Sequence, residues 1–319
     1  MGVFMANIIE IVDLRKYYHV TRGFLSKNRG DVKAVDGVSL FIPEGETLGL
    51  AGESGCGKST LGRTILKLEE PDAGKILWRG RDISGYRQSQ LKEFRKDCQI
   101  IFQDPNSSLD PRMTVGNSIE EALIIHDIGT REERTHMVGE LLLKVGLTPD
   151  FMPRYPHELS GGQQQRIGIA RALAVNPGLI VADEPVSALD VSVQAQILTL
   201  LMELKTELKL SYLFITHNLW VIRYISDRVA IMYLGRIVEL ADKDELFENP
   251  LHPYTAALLS SLPGNRNRKI LRGEVPSPMN PPNGCRFHTR CDKKLDRCGS
   301  IEPEMKDVGK GHFVMCHLY

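Results

Sequence analysis

The stretch "GESGCGKS" (Gly52–Ser59) carries the first chemistry that can be read from residue types and spacing. Its pattern, G-x-x-x-x-G-K-[ST], is that of a phosphate loop, and it lies where such a loop must lie. The apolar run "TLGLA" (Thr47–Ala51) precedes it, and the amphipathic "KSTLGRTILKL" follows. Glycines let backbone amides converge on phosphate oxygens, and a helix N-terminus adds partial positive charge. Gly52, Ser54, Gly55, Cys56, Gly57 and Thr60 are expected to line the polyphosphate. Lys58 would neutralise its β and γ groups, and the Ser59 hydroxyl would ligate Mg²⁺. The thiols of Cys56 and Cys98 are assigned no chemistry. A chance glycine-rich turn is the plain alternative, but strand, lysine, hydroxyl and helix together argue against it.

A second constellation is "LIVADEP", where a buried strand delivers Asp183 and Glu184 at its polar end. Doubly wound sheets put their ligand crevice at that end. Adjacent strand residues point to opposite sides, so the two acids can serve different atoms. Asp183 is expected to hold Mg²⁺ through water, and Glu184 to act as general base on the attacking water. An Asp-Glu pair after a strand is otherwise a common helix cap. Taken with the phosphate loop, the pair points to hydrolysis of a nucleoside triphosphate.

These residues need a scaffold, and the chain shows one. Between about Ile8 and Phe247 short apolar runs alternate with helical patterns, the α/β signature. "TLGLA", "QIIF" (Gln99–Phe102), "LIVA" (Leu179–Ala182) and "YLFIT" (Tyr212–Thr216) suit parallel strands buried on both faces. "RVAIMYLGRIVEL" (Arg228–Leu240) reads as a hairpin with Gly235 in its turn. From Gln103 to Leu159 the spacing is helical with no strand, which suggests a helical insertion of about 104–176. After Asn249 the texture changes: eight of the seventeen prolines fall in residues 250–319. A boundary is placed near Pro250, giving a cassette of 1–249 and a loop-rich extension of 250–319.

Bulk properties exclude several classes. Forty basic and forty acidic residues cancel, so nothing attracts nucleic acid globally. No apolar run approaches the ~18–20 residues that span a bilayer. The start, "MGVFMANIIEIVDLRKYY", lacks a signal-peptide layout and the Ser or Thr of a myristoylation site. The chain is expected to stay in the cytosol or to reach a membrane only through a partner.

The phosphate loop has a rival in "ELSGGQQQRIGIARAL" (Glu158–Leu173). Ser160 and the amides of Gly161 and Gly162 open a helix that ends at Asn176-Pro177, ready either for an anion or simply to cap that helix. The ordered set "GESGCGKST", Gln103, "LSGGQ", "LIVADE", "SALD" and His217 resembles the nucleotide-binding subunit of an ABC transporter. The resemblance covers roughly Ile8–Phe247 and no motif position departs from the pattern. It implies a P-loop ATPase fold with an antiparallel β subdomain and two cassettes dimerised head to tail. Ser160, Gly161, Gly162 and Gln163 of one cassette would then close over ATP held by the other. Tyr18 would stack on adenine, with Tyr17 as the fallback. Gln103 would sense the γ-phosphate and Mg²⁺. Asp190 would reach the partner cassette, and His217 would bond the γ-phosphate and steady Glu184.

"HPYT" (His252–Thr255), the proline-rich run and "CRFHTRC" resemble the C-terminal extension of oligopeptide and dipeptide importer ATPases. Cys285, Cys291, Cys298 and Cys316 are separated by five, six and seventeen residues. Four thiolates can hold Zn²⁺ or an iron–sulfur cluster. Tight zinc knuckles are absent, so a structural [4Fe–4S] cluster is favoured over zinc, against the alternative of cysteines that never meet. Eleven Lys/Arg against six Asp/Glu in residues 264–319 would offset the charge of such a centre, or make a solvated surface. His288 reads as a bystander. The metal is expected to fold a tail too poor in apolar residues to fold alone.

The resemblance implies the energising ATPase of a peptide importer on the cytoplasmic face of the plasma membrane. It implies a second ATPase subunit, two transmembrane permease subunits, an extracytoplasmic peptide-binding protein, and no nucleic acid. An importer of nickel or another small solute, or a soluble ABC factor acting on ribosomes or nucleic acid, are the competing readings.

Overall fold

The computed structural model describes residues 6–21, 29–104, 108–262, 271 and 273–319. Met1–Met5, part of the stretch read for a leader or lipid site, lie outside the described residues. The chain divides into two compact units, one of residues 9–42, 46–84 and 215–319, the other of the chain up to Ile8 with 43–45 and 85–214.

The first unit holds two sheets. One runs Arg29–Pro43, Asn7–Thr21, Ala73–Trp78, Arg81–Asp82 in spatial order. The Asn7–Thr21 and Ala73–Trp78 strands are antiparallel, with a bulge between Val12 and Arg15. This is the antiparallel β element that the resemblance implied. The other sheet places Thr47–Ala51 parallel to Arg228–Tyr233, with Ala51 opposite Ile231. All five residues of Thr47–Ala51 are buried, as a strand covered on both faces requires.

Arg228–Tyr233 turns back into Arg236–Asp242 as an antiparallel pair. Leu234 and Gly235 make the two-residue turn, both at positive φ (42° and 80°), the geometry that matches strand twist. Gly235 is required: a Cβ there would stand 2.7 Å from the Lys33 carbonyl oxygen. The extension continues this sheet. Phe313–Val314 pairs antiparallel with Arg236–Asp242, and Lys306–Asp307 pairs with Phe313–Val314.

The second unit is built on Cys98–Ile101 and Leu179–Asp183, parallel and in register from Cys98↔Leu179 to Ile101↔Ala182. Ser211–Ile215 lies on the far side of Leu179–Asp183. Helices fill the stretch between the first two strands: Val115–Ile125, Arg131–Lys144 and Gly161–Leu173. Thr114, Thr130 and Ser160 cap them, each accepting a backbone N–H from the first turn. Arg134 ties the first two together through Glu120 at 2.9 Å. Arg166, on the third, donates to the Val145 carbonyl at 2.6 Å. No helix among the described residues is long and apolar enough to cross a membrane.

Candidate functional site

In the first unit the phosphate-loop residues wrap the start of helix Lys58–Ile65. Gly57 is the N-cap at φ 108° and offers no side chain to the first turn. The other helices named so far are capped by a side chain, whereas this N-cap makes no side-chain hydrogen bond. A Cβ on Gly57 would sit 1.9 Å from the Ala34 carbonyl oxygen, so only glycine fits. Lys58 is buried, and its ammonium donates to the carbonyls of Gly52 (2.9 Å) and Glu53 (3.0 Å). The charge is thereby held inside the loop's curve.

Tyr18 is 38% exposed, and its hydroxyl donates to Glu69 and also interacts with Thr60 of the loop helix. Tyr17 instead donates to Asp36. Of the two, Tyr18 is the more exposed, with the Lys16 ammonium 5.5 Å from its ring centroid. Thr216 donates to the Leu50 carbonyl at 3.2 Å, which sets exposed His217 just past the strand that feeds the loop.

The second unit brings together the other half of the expected chemistry. Asp183 ends its strand and is 2% exposed. Glu184 follows at φ 46°, a left-handed conformation that non-glycine residues rarely hold. The Gln103 side-chain amide donates to the Glu184 carboxylate at 3.4 Å.

Ser160 caps its own helix. Its hydroxyl accepts the Gln163 N–H at 3.4 Å, and the Gln163 side chain accepts the Ser160 N–H at 3.0 Å. Gly161 faces Leu189, and a Cβ on Gly162 would lie 2.6 Å from a Val193 methyl. The small residues therefore let the "LSGGQ" turn pack on the segment around Asp190. Asp190 precedes helix Val191–Leu208 without capping it, and Val191 is 82% exposed.

Known proteins share this arrangement. Residues 35–187 match the ABC transporter family, and residues 238–298 match the oligopeptide/dipeptide transporter C-terminal region. The chain is 55% identical to the Bacillus subtilis oligopeptide transport ATP-binding protein AppF, over 98% of both chains. It is 48% identical to a probable peptide ABC transporter ATP-binding protein, y4tS, of Sinorhizobium fredii, over 98% of this chain and 90% of that one. The dimeric ATP-binding cassette MJ0796 bound to ADP and Pi superposes with a TM-score of 0.66 at 32% identity. That match covers 74% of this chain and 98% of the cassette.

The chain belongs to the ATP-binding subunits of ABC transporters.

As an ABC subunit with the P-loop ATPase fold, it binds and hydrolyses ATP with Mg²⁺. Its C-terminal extension departs from the expectation of a tail held by metal. Tyr254 (0% exposed), Phe287 (2%) and Val314 (0%) are buried in the same unit as the strand residue Tyr233. Phe287 meets Tyr233 edge-on at 5.4 Å between ring centroids and Tyr254 at 5.4 Å; Tyr233 and Tyr254 are 4.7 Å apart. The tail's few aromatics share a core with the cassette, which an apolar count of the tail by itself misses.

In this ABC subunit two of the four cysteines are tied through their backbones, the Cys285 N–H donating to the Cys298 carbonyl at 2.8 Å. Burial pushes the Cys285 thiol up to about 11, and Cys298, Cys316 and Cys291 add to that push. Burial likewise raises Cys291 and Cys316, with the neighbouring thiols contributing. Yet among the described residues no three His, Cys, Asp or Glu side chains are arranged to hold a metal ion. No ligand geometry for the expected [4Fe–4S] cluster or Zn²⁺ is found among them. The His288 Nδ1 lies 2.8 Å from the Cys285 carbonyl oxygen.

Sequence reasoning missed one buried polar group in this subunit. Glu239, fully buried, accepts from the Leu251 and His252 N–H groups (2.7 and 2.9 Å) and pairs with His312 at 2.8 Å. A charged residue inside the otherwise apolar "IVELA" (Ile237–Ala241) was the available signal, since a buried carboxylate must find partners.

Proposed function

We propose that this chain is the ATP-hydrolysing subunit of an importer that carries dipeptides or oligopeptides through separate permease subunits, working on the cytoplasmic face of the membrane. The observation that carries the peptide class is the C-terminal match over residues 238–298, together with relatives named for peptide transport. A second ATPase subunit, two permease subunits and an external peptide-binding protein complete the system.

In this reading Lys58 and the amides of Gly52, Ser54, Gly55, Cys56, Gly57 and Thr60 hold the triphosphate, and Tyr18 stacks on the adenine. The uncapped loop helix and the buried Lys58 ammonium support the first assignment. Ser59, Gln103 and Asp183 offer a hydroxyl, an amide and a carboxylate, the hard oxygen donors that suit Mg²⁺. The ion supplies charge neutralisation at the transferring phosphoryl group. Glu184 takes the proton of the attacking water, Gln103 orients that carboxylate, and His217 bonds the γ-phosphate. Ser160–Gln163 and Asp190 act on the nucleotide of a partner cassette; the exposure of Ser160, Gly161, Asp190 and Val191 supports a face built to meet another chain.

Reconstitution with the two permease subunits and the binding protein in vesicles tests this. Peptide should stimulate hydrolysis, and the rate per subunit should rise with protein concentration for the isolated chain. Stimulation by Ni²⁺ complexes and not by peptides would move the substrate class. Co-purification with ribosomes would remove the transport reading altogether.

The finer assignment for Cys285, Cys291, Cys298 and Cys316 is a [4Fe–4S] cluster, with Zn²⁺ as its alternative. Its support is the presence of four cysteines in one loop-rich segment, two of them joined by the Cys285 N–H to the Cys298 carbonyl. Iron, acid-labile sulfide and zinc content of anaerobically purified protein decide between them, and none of the three at stoichiometric level removes both.

A further inference from the structure

Arg290, one residue before Cys291, forms a two-bond ion pair with Glu53, the second residue of the phosphate loop. The N···O distances are 2.9 and 3.2 Å, and the arginine side chain is 7% exposed. The two residues are 237 positions apart in sequence. Glu53 is gripped along its whole length. Its N–H donates to the Tyr254 hydroxyl at 3.0 Å, and its carbonyl accepts the Lys58 ammonium at 3.0 Å. Both Tyr254 and Arg290 belong to the extension, so the extension holds this loop residue at its backbone and at its charge.

The same short segment makes a second grip. Arg286 donates to the Leu234 carbonyl and to the Asp36 carboxylate, and Asp36 accepts the Tyr17 hydroxyl. Phe287, between the two arginines, is locked in the aromatic group with Tyr233 and Tyr254. Cys285 and Cys291 bracket all three residues. One seven-residue stretch thus reaches the phosphate loop through Arg290 and, through Arg286 and Asp36, the strand that carries Tyr17 and Tyr18.

The position of Glu53 poses an electrostatic problem. A carboxylate inside a loop that grips a polyanion repels its own ligand unless the charge is cancelled or turned away. A bidentate guanidinium does both, because its planar fork fixes the carboxylate's direction as well as neutralising it. Lysine could cancel the charge but not fix the direction.

We propose that Arg290 is a positioning residue for nucleotide binding: by clamping the Glu53 carboxylate it keeps the phosphate loop receptive to a triphosphate, so the C-terminal extension sets the cassette's affinity for ATP. This rests on the phosphate-loop reading given above.

The test is equilibrium binding of MgATP, MgADP and AMP to the full-length chain, with Arg290→Met, Arg290→Lys, Glu53→Gln and the Glu53→Gln/Arg290→Met pair. Arg290→Met is expected to weaken MgATP about tenfold, the size of one uncancelled charge near the ligand. The loss should shrink from ATP to ADP to AMP, and Arg290→Lys should recover part of it. Glu53→Gln, which leaves the Arg290 cation uncancelled, should bind at least as tightly as wild type, and the pair, neutral again, should return to about wild-type affinity. A purely structural tie would lower the unfolding midpoint without this charge ladder or rescue. Unchanged MgATP affinity in Arg290→Met, equal losses for all three nucleotides, or a pair as weak as Arg290→Met each overturns the proposal. Lys58→Ala separates the two levels: full ATP affinity in that variant overturns the phosphate-loop reading itself. Should Arg290→Met not fold, Arg290→Lys and Glu53→Gln carry the same comparison.

Discussion

Gln103 and Glu184 face each other at 3.4 Å because two parallel strands end in step. Ile101 stands opposite Ala182, so counting two residues onward on each strand brings the amide level with the carboxylate. The amide donates to the carboxylate and so fixes the direction of its oxygens, the part proposed above for Gln103. Glu184→Gln should retain ATP binding while turnover falls on the order of 10²-fold or more. Gln103→Ala should lower kcat with a smaller change in KM, since it orients the base and does not replace it. Steady-state hydrolysis read against nucleotide binding checks both, and normal turnover in Glu184→Gln removes the base assignment.

Gly57→Ala should abolish nucleotide binding. A Cβ would meet the Ala34 carbonyl oxygen at 1.9 Å in a backbone at φ 108°, so the loop must rearrange. Gly55, also at positive φ but with nothing near its Cβ, should tolerate alanine better, losing stability through backbone strain alone. Comparable binding by Gly57→Ala and wild type would contradict the close approach.

Phe287→Ala should destabilise the chain by about 3–5 kcal/mol, the usual loss when a buried aromatic is removed. The loosened part should be the extension, read as faster protease cleavage after Asn249 with the helices of 115–144 still protected. A uniform loss across both units would place the tail's anchor elsewhere.

Two buried histidines should give stability opposite slopes with pH. Burial holds His252 down at about 4 despite nearby Glu239, and its Nδ1 accepts the Tyr254 N–H at 3.1 Å as a helix cap. Its contribution is present above about 6.5 and is lost as pH falls toward 4, a span worth roughly 3 kcal/mol. His312 runs the other way. Burial lowers it, but the bond and charge of Glu239, with Glu245, outweigh burial and raise it. Its contribution is full below about 6.5 and is lost as pH rises through the folded value. In denaturant titrations across pH, His252→Asn should flatten the acid limb, and His312→Gln the limb above 6.5. Unaltered slopes in both would dismiss the assignment.

What could be read from the chain alone was whatever is local. The phosphate loop needs eight consecutive residues, the "LSGGQ" turn five, and the buried strands are short apolar runs; each is specified by neighbours in sequence. Thr47–Ala51 came out residue for residue, and Cys98–Ile101 within one position. The hairpin at Gly235 was legible for the same reason.

Only the folded chain decided which distant polar residues meet. Arg290 reaches Glu53, Arg286 reaches Asp36, and His312 reaches Glu239, across 237, 250 and 73 positions. Such pairs have no period and no spacing, because their partners are chosen by packing of elements and by the need to satisfy charge once it is buried. The extension illustrates the difference. Its cysteines drew attention by type, whereas its attachment depends on Tyr254, Phe287 and two arginines that look ordinary until the fold sets them against the cassette. Local stereochemistry writes motifs; desolvation, acting after the chain has closed on itself, selects the contacts that join them.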